Sequence, residues 1–124
     1  MRISADQLAQ ESLTEFGVLA AKLLATRELS QLSEKFGYAL AFGREPAAAI
    51  AEDLARCLCG QNASPASEYP KITVKYFKEN ESSLLALVEC YVQMTASANI
   101  LLELVAARNG EAINLYLEGL SVVA

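Results

Sequence analysis

The sequence predicts an α+β protein in which two or three N-terminal helices pack on a C-terminal four-stranded antiparallel β-meander. Three observations lead to this prediction. Apolar residues recur every three or four positions up to about residue 60, and the period changes to two after residue 70. In addition, Asn109-Gly110 is a residue pair favoured in two-residue hairpin turns.

The first helix is predicted over residues 4–25. Ser4 followed three residues later by Gln7 is a capping-box pattern, in which the two residues satisfy each other's free backbone N–H groups. Apolar residues then recur with helical spacing at Leu8, Leu13, Phe16, Leu19, Ala20, Leu23 and Leu24. This is the most regular helical pattern in the sequence.

Two further helical patterns follow. The second helix of the chain is predicted to begin after Thr26, with apolar residues at Leu29, Leu32, Phe36 and Leu40, and Gly37 interrupts its pattern. A short strand is the alternative at its end, because apolar residues also alternate at Tyr38, Leu40 and Phe42. The third helix is predicted over 45–59, with Pro46 in its first turn and Gly60 after its end. One face of this helix carries Ile50, Leu54 and Leu58.

The chain is predicted to be a single domain over 1–124, with a helical half (1–60), a loop (61–70) and a sheet half (71–124). Two prolines among small polar residues predict the loop. A first strand is indicated by alternation at Ile72, Val74 and Tyr76, and a turn by the polar run 78–83. In the next strand, one face carries Val88, Cys90, Val92 and Met94 and the other carries Glu89, Tyr91, Gln93 and Thr95.

A type I′ turn at Asn109-Gly110 predicts the last hairpin. Pairing outward from it gives an apolar face, with Ala106 opposite Ile113, Leu104 opposite Leu115 and Leu102 opposite Leu117. On the other face, the predicted pairs are Glu103 with Tyr116, Val105 with Asn114 and Leu101 with Glu118. The competing interpretation is one long helix over 83–108 that ends at Asn109-Gly110.

Composition excludes several classes of function. The 124 residues carry a net charge of −5, which disfavours nucleic acid as a partner and favours a basic protein. Histidine is absent, which removes Ser-His-Asp and Cys-His nucleophiles and most catalytic zinc sites. The three cysteines, at positions 57, 59 and 90, lack metal-site spacing and an even disulfide framework, so we expect a cytoplasmic protein with no metal and no cofactor. We expect no membrane association, because Lys22 interrupts the apolar stretch 16–25.

The distribution of charge along the chain predicts where a partner binds. From residue 79 onward there are six acidic residues and one basic residue, which equals the net charge of the whole chain, −5. On the polar side of the predicted sheet, three of these acids, Glu89, Glu103 and Glu118, stand beside two tyrosines, a composition typical of protein-binding surfaces. The candidate partner-binding residues are Glu89, Tyr91, Gln93, Glu103, Asn114, Tyr116 and Glu118.

The leading hypothesis is a non-enzymatic, acidic protein-binding module of the bacterial immunity or antitoxin type, which neutralises a basic toxin such as a nuclease by direct binding. A homodimeric secretion chaperone or adaptor is the alternative, with contact through Leu101 and Val105 or an unpaired strand edge. A further alternative is a histidine-free enzyme using Glu103 and Glu118, since Glu52 and Asp53 are adjacent on a helix and diverge.

Overall fold

A helical half precedes an antiparallel sheet, so the predicted α+β class is confirmed. The computed structural model describes residues 1–58, 70–94 and 99–123. Most of the predicted loop 61–70 lies outside these residues, as do Cys59 and Gly60. The elements are β1 (Arg2–Ile3), α1 (Gln10–Ala25), α2 (Leu29–Phe36), α3 (Pro46–Leu58), β2 (Lys71–Tyr76), β3 (Leu84–Gln93), β4 (Asn99–Asn109) and β5 (Ala112–Val123).

The first predicted helix is divided near its start. The Ser4 backbone N–H donates to the Gln7 side-chain oxygen at 2.8 Å, but this contact belongs to a 3₁₀ turn over Ala5–Leu8. Ala9 is extended, so α1 begins only at Gln10. Of the predicted apolar positions on α1, Leu13, Ala20, Leu23 and Leu24 are buried, and Phe16 and Leu19 are partly buried. Gly17 and Ala21, which the pattern did not include, are buried as well.

Helices α2 and α3 lie within the segments where the sequence predicts them. Helix α2 stops at Phe36 because Gly37 takes a φ of +71°. The following residues form a 3₁₀ turn over Ala39–Ala41, so neither a longer helix nor a short strand exists there. Helix α3 starts after Glu45, whose carboxylate accepts the backbone N–H groups of residues 47 and 48 at 3.1 and 2.7 Å.

Within the described residues the sheet has five strands in the order β1-β5-β4-β3-β2, so the predicted four-stranded meander lacked one strand. The additional strand, β1, is only two residues long and pairs with β5 at Ile113 and Asn114. The N-terminal amino group extends this contact by donating to the Leu115 carbonyl at 2.9 Å. The alternative of one long helix over 83–108 is wrong, because β3 and β4 account for all the described residues of that segment except Ser83 and Met94.

The last hairpin turns one residue later than predicted. Asn109 pairs with Ala112, so Gly110 and Glu111 are the two turn residues. Only Gly110 has a positive φ (+63°), which fits a type II′ turn rather than type I′. The pairing is shifted by two residues, so that Leu104 faces Leu117 and Ala106 faces Leu115. Because side chains alternate with a period of two, this shift leaves the predicted apolar face intact.

The core lies between the helices and one face of the sheet. Helix α1 packs on β2 and β3, and α3 packs on β5. A Cβ atom on Gly17 would lie 2.9 Å from Ile72 Cγ2 and 3.0 Å from Val88 Cγ1, so α1 approaches the sheet too closely for a larger residue. None of the described helices has the length and apolar run that crossing a bilayer requires.

Candidate partner-binding surface

All seven predicted binding residues lie on the sheet face opposite to the one that α1 covers, which we call the outer face. Alternation along β3 places Glu89, Tyr91 and Gln93 there, because Val88 and Cys90 lie beside Gly17 on the helix side. Glu89 is 9% exposed. The other predicted residues are intermediate in exposure: Tyr91, Gln93, Glu103, Asn114, Tyr116 and Glu118.

The observed register changes which side chains meet on this face. The predicted pairs of Glu103 with Tyr116, Val105 with Asn114 and Leu101 with Glu118 are wrong. Instead, Glu103 pairs with Gly119, Val105 with Tyr116, Ala107 with Asn114 and Leu101 with Ser121. A register shift next to Glu103 leaves Glu118 without a direct partner. The slip is two residues for Val105 and, beyond the register shift, three residues for Glu103 and Leu101. The predicted residues keep their faces but have new neighbours.

One consequence of the register is a run of apolar side chains across the outer face. Leu87 pairs with Val105, and Val105 pairs with Tyr116. Val105 is only 6% exposed as a result. It therefore cannot serve as the exposed contact residue of the homodimer alternative, and Leu101 is itself intermediate in exposure.

The carboxylates beside this run repel one another. Glu89 and Glu103 face each other directly across β3 and β4, an arrangement that destabilises a sheet. The pKa of Glu103 is raised by burial, and further by the charges of Glu89 and Glu118. Burial also raises the pKa of Tyr116, and the neighbouring Glu118 adds to this effect. The outer face thus holds three acids close together at an energetic cost.

Two lysines on the edge strand β2 share the outer face and were missed in the sequence analysis. Lys71 pairs with Tyr91, and Lys75 pairs with Leu87. The Lys75 ammonium lies 2.7 Å from a Glu89 carboxylate oxygen, and this contact raises the Lys75 pKa. The acidic character of the face is therefore concentrated on β4 and β5. The alternation of β2 contained the signal, since residues 71, 73 and 75 must share one face.

A shallow concavity of about 400 Å³ lies at the β2 side of the outer face. Its lining residues are Lys71, Thr73, Lys75, Glu89, Tyr91, Gln93 and Asn99. Gln93 contributes a buried side-chain oxygen that has no hydrogen-bond partner in the described part of the chain. Neither Glu103 nor Glu118, the pair proposed for a carboxylate enzyme, lines this concavity.

A second polar cluster, on the helical side, was not predicted. The Arg44 guanidinium contacts Glu52 at 2.9 Å and Asp53 at 3.2 Å, so these two acids converge on one cation rather than diverge. Tyr38 donates its hydroxyl hydrogen to Asp53, and Arg56 lies 2.8 Å from the same carboxylate. Burial alone would raise the pKa of Asp53, but the hydrogen bonds from Arg44 and Tyr38 lower it below its usual value.

The described cysteines differ in accessibility. Cys90 is fully buried, and burial, with a smaller effect of Glu89, raises the pKa of its thiol to about 12. It is an inert part of the core. Cys57 is half-buried at the end of α3. Among the described residues, no group of three histidine, cysteine, aspartate or glutamate side chains is arranged to hold a metal ion.

Comparisons with protein-family models, with characterised proteins and with solved structures gave no match for this chain.

Proposed function

We propose that this chain is a non-enzymatic binding protein of the bacterial immunity or antitoxin type, which neutralises a basic toxin, such as a nuclease, by direct binding. The observation that supports the proposal is the cluster of Glu89, Glu103 and Glu118 on the outer face beside the partly exposed side chains of Tyr91 and Tyr116. A cationic partner would relieve the repulsion among these acids, whereas a neutral or acidic partner would not.

The two kinds of side chain have different roles in this proposal. The carboxylates steer a basic protein toward the face and raise its association rate. Tyr91 and Tyr116 supply rigid contact area at low entropic cost and slow dissociation. Glu89 is 9% exposed and already paired with Lys75, so Glu103 and Glu118 make the larger contribution to steering. The protein would act in the cytoplasm and require no metal, cofactor, membrane or nucleic acid.

The test begins with recovery of the partner from the native host by the tagged chain. Binding of that partner is then measured for wild type, for Glu103→Lys/Glu118→Lys and for Glu15→Lys/Glu34→Lys. The second double variant is a matched control, because it changes the net charge equally at exposed positions on α1 and α2. We expect the outer-face variant to bind at least about tenfold more weakly at low salt and the control to bind much as wild type does.

Two results would contradict the proposal. Equal losses in both double variants would show that only net charge matters. A partner that proves acidic, or whose binding survives the Glu103→Lys/Glu118→Lys change, would place the functional surface elsewhere. Circular dichroism of each variant separates loss of binding from loss of fold.

A further inference from the structure

Phe42 combines an unfavourable backbone conformation with nearly complete exposure. Its φ and ψ are 50° and 52°, in the left-handed region that non-glycine residues seldom adopt. The side chain is 81% exposed, the largest value among the exposed large apolar residues of the described chain. Such conformations persist where the surrounding structure enforces them, and they concentrate at functional sites.

Arg44 enforces this conformation. Its guanidinium donates to the main-chain carbonyls of Leu40 at 2.7 Å and Ala41 at 2.9 Å, on the N-terminal side of Phe42. The same guanidinium is held on α3 by its ion pairs with Glu52 and Asp53. The turn is therefore braced before any partner arrives, which lowers the entropic cost of presenting the phenyl ring.

A cavity of about 330 Å³ lies beside this turn. Its apolar lining comes from Tyr38, Leu40, Cys57, Leu120 and Val122, and its polar lining from Asp53 and Arg56. Two of these lining residues, Leu40 and Asp53, accept hydrogen bonds from the Arg44 guanidinium, so the cavity adjoins the turn that carries Phe42. Val122 is 51% exposed. An exposed aromatic side chain and an open apolar cavity thus occur together on one part of the surface.

The charges on α3 indicate what covers this region. Within the chain, Glu52 contacts Arg44 and Arg56 contacts Asp53. The side chains of Glu52 and Arg56 are nevertheless 61% and 74% exposed, and the two residues lie one turn apart. Two antiparallel copies of α3 related by a two-fold axis would place Glu52 of each chain near Arg56 of the other. The pattern is therefore self-complementary, as an isologous interface requires.

We propose that the chain forms a two-fold dimer in which Phe42 of each protomer inserts into the cavity formed by Leu40, Leu120 and Val122 of the other. The α3 helices pack antiparallel across the axis, with reciprocal pairing of Glu52 and Arg56. This contact involves α3, the turn that carries Phe42 and the end of β5, so both outer faces stay available. The inference is independent of the proposed binding of a basic protein.

Sedimentation velocity over a wide range of protein concentration tests the dimer. Wild type should pass from monomer to dimer as concentration rises. Phe42→Gly removes the ring and suits the left-handed backbone, so it should weaken the dimer by about 30-fold or more without loss of fold. Phe42→Asn, which also tolerates this conformation, should behave in the same way. Phe77→Ser is the matched control, because it removes another exposed aromatic residue, 42% exposed, and should leave the dimer unchanged.

Charge reversal tests the alignment of the helices. Arg56→Glu and Glu52→Arg should each weaken self-association, because each variant brings like charges together across the axis. Glu52→Arg also removes an ion pair of Arg44, so the decisive comparison is a mixture of the two variants. A mixture of the two variants should associate more tightly than either variant alone, since their surfaces are complementary. A wild-type chain that stays monomeric at all concentrations would overturn the proposal. A dimer that survives Phe42→Gly, or a mixture with no gain, would do so too.

Discussion

Gly17→Ala should destabilise this protein, although the same change stabilises an ordinary helix. Gly17 lies within α1, where replacing glycine by alanine is worth about 1 kcal/mol in intrinsic helix propensity. The new Cβ atom would lie 2.9 Å from Ile72 Cγ2, 3.0 Å from Val88 Cγ1 and 3.2 Å from Cys90 Sγ. Overpacking of this kind costs about 1–3 kcal/mol.

The position of the contacts decides between these opposing effects. Val88 and Cys90 are fully buried on β3, which is paired on both sides, so they cannot move aside without shifting the sheet. We therefore place the cost near its upper limit and expect a net loss of about 1–2 kcal/mol. Urea unfolding of the two proteins measures this difference directly.

A second variant isolates the mechanism. Val88→Ala destabilises the protein by itself, because it leaves a cavity. It also removes Val88 Cγ1, one of the atoms that the new methyl group of Gly17→Ala would contact. Gly17→Ala should therefore cost less in the Val88→Ala background than in wild type. A gain in stability of about 1 kcal/mol for Gly17→Ala in wild type would refute the close packing of α1 on β3.

Three further predictions concern the sheet. Gly110→Val should lower stability by about 1–3 kcal/mol, measured by thermal unfolding, because Gly110 has a φ of +63° that a β-branched residue resists. Leu104→Asp should unfold the protein at neutral pH, since it places a carboxylate at a fully buried position; circular dichroism would detect the loss of structure. Glu103→Gln should raise the melting temperature at pH 7 but have little effect below about pH 4. The raised pKa of Glu103 means that its unfavourable contribution grows as pH rises through that pKa.

The sequence predicted the faces of the strands better than their pairing. Alternation alone determined that Leu104 and Leu115 point inward and Glu103 and Tyr116 outward. The turn was misplaced because Asn109-Gly110 favours type I′ geometry, whereas Gly110 followed by Glu111 also satisfies type II′. Both turns bury the same side chains, so hydrophobic patterning could not distinguish the two registers.

The features that the sequence could not predict depend on long-range contacts. Strand β1 is too short to show any periodicity, and it exists because Arg2 and Ile3 meet β5 at Ile113 and Asn114, near the other end of the chain. The Arg44 cluster joins a turn to α3 through side chains whose spacing follows no known motif. The left-handed conformation of Phe42 has no local signal either, since a positive φ is ordinarily expected at a glycine such as the neighbouring Gly43.

The most direct test of the proposed function is the salt dependence of the association rate with the recovered basic partner. For wild type, stopped-flow measurements should give a rate that falls steeply between about 0.05 and 0.5 M salt, because the outer-face carboxylates steer the encounter. Glu103→Lys/Glu118→Lys should show a slower rate and a much weaker salt dependence, while Glu15→Lys/Glu34→Lys keeps most of the wild-type slope. Identical slopes for wild type and the outer-face variant would contradict the assignment of the outer face as the binding surface.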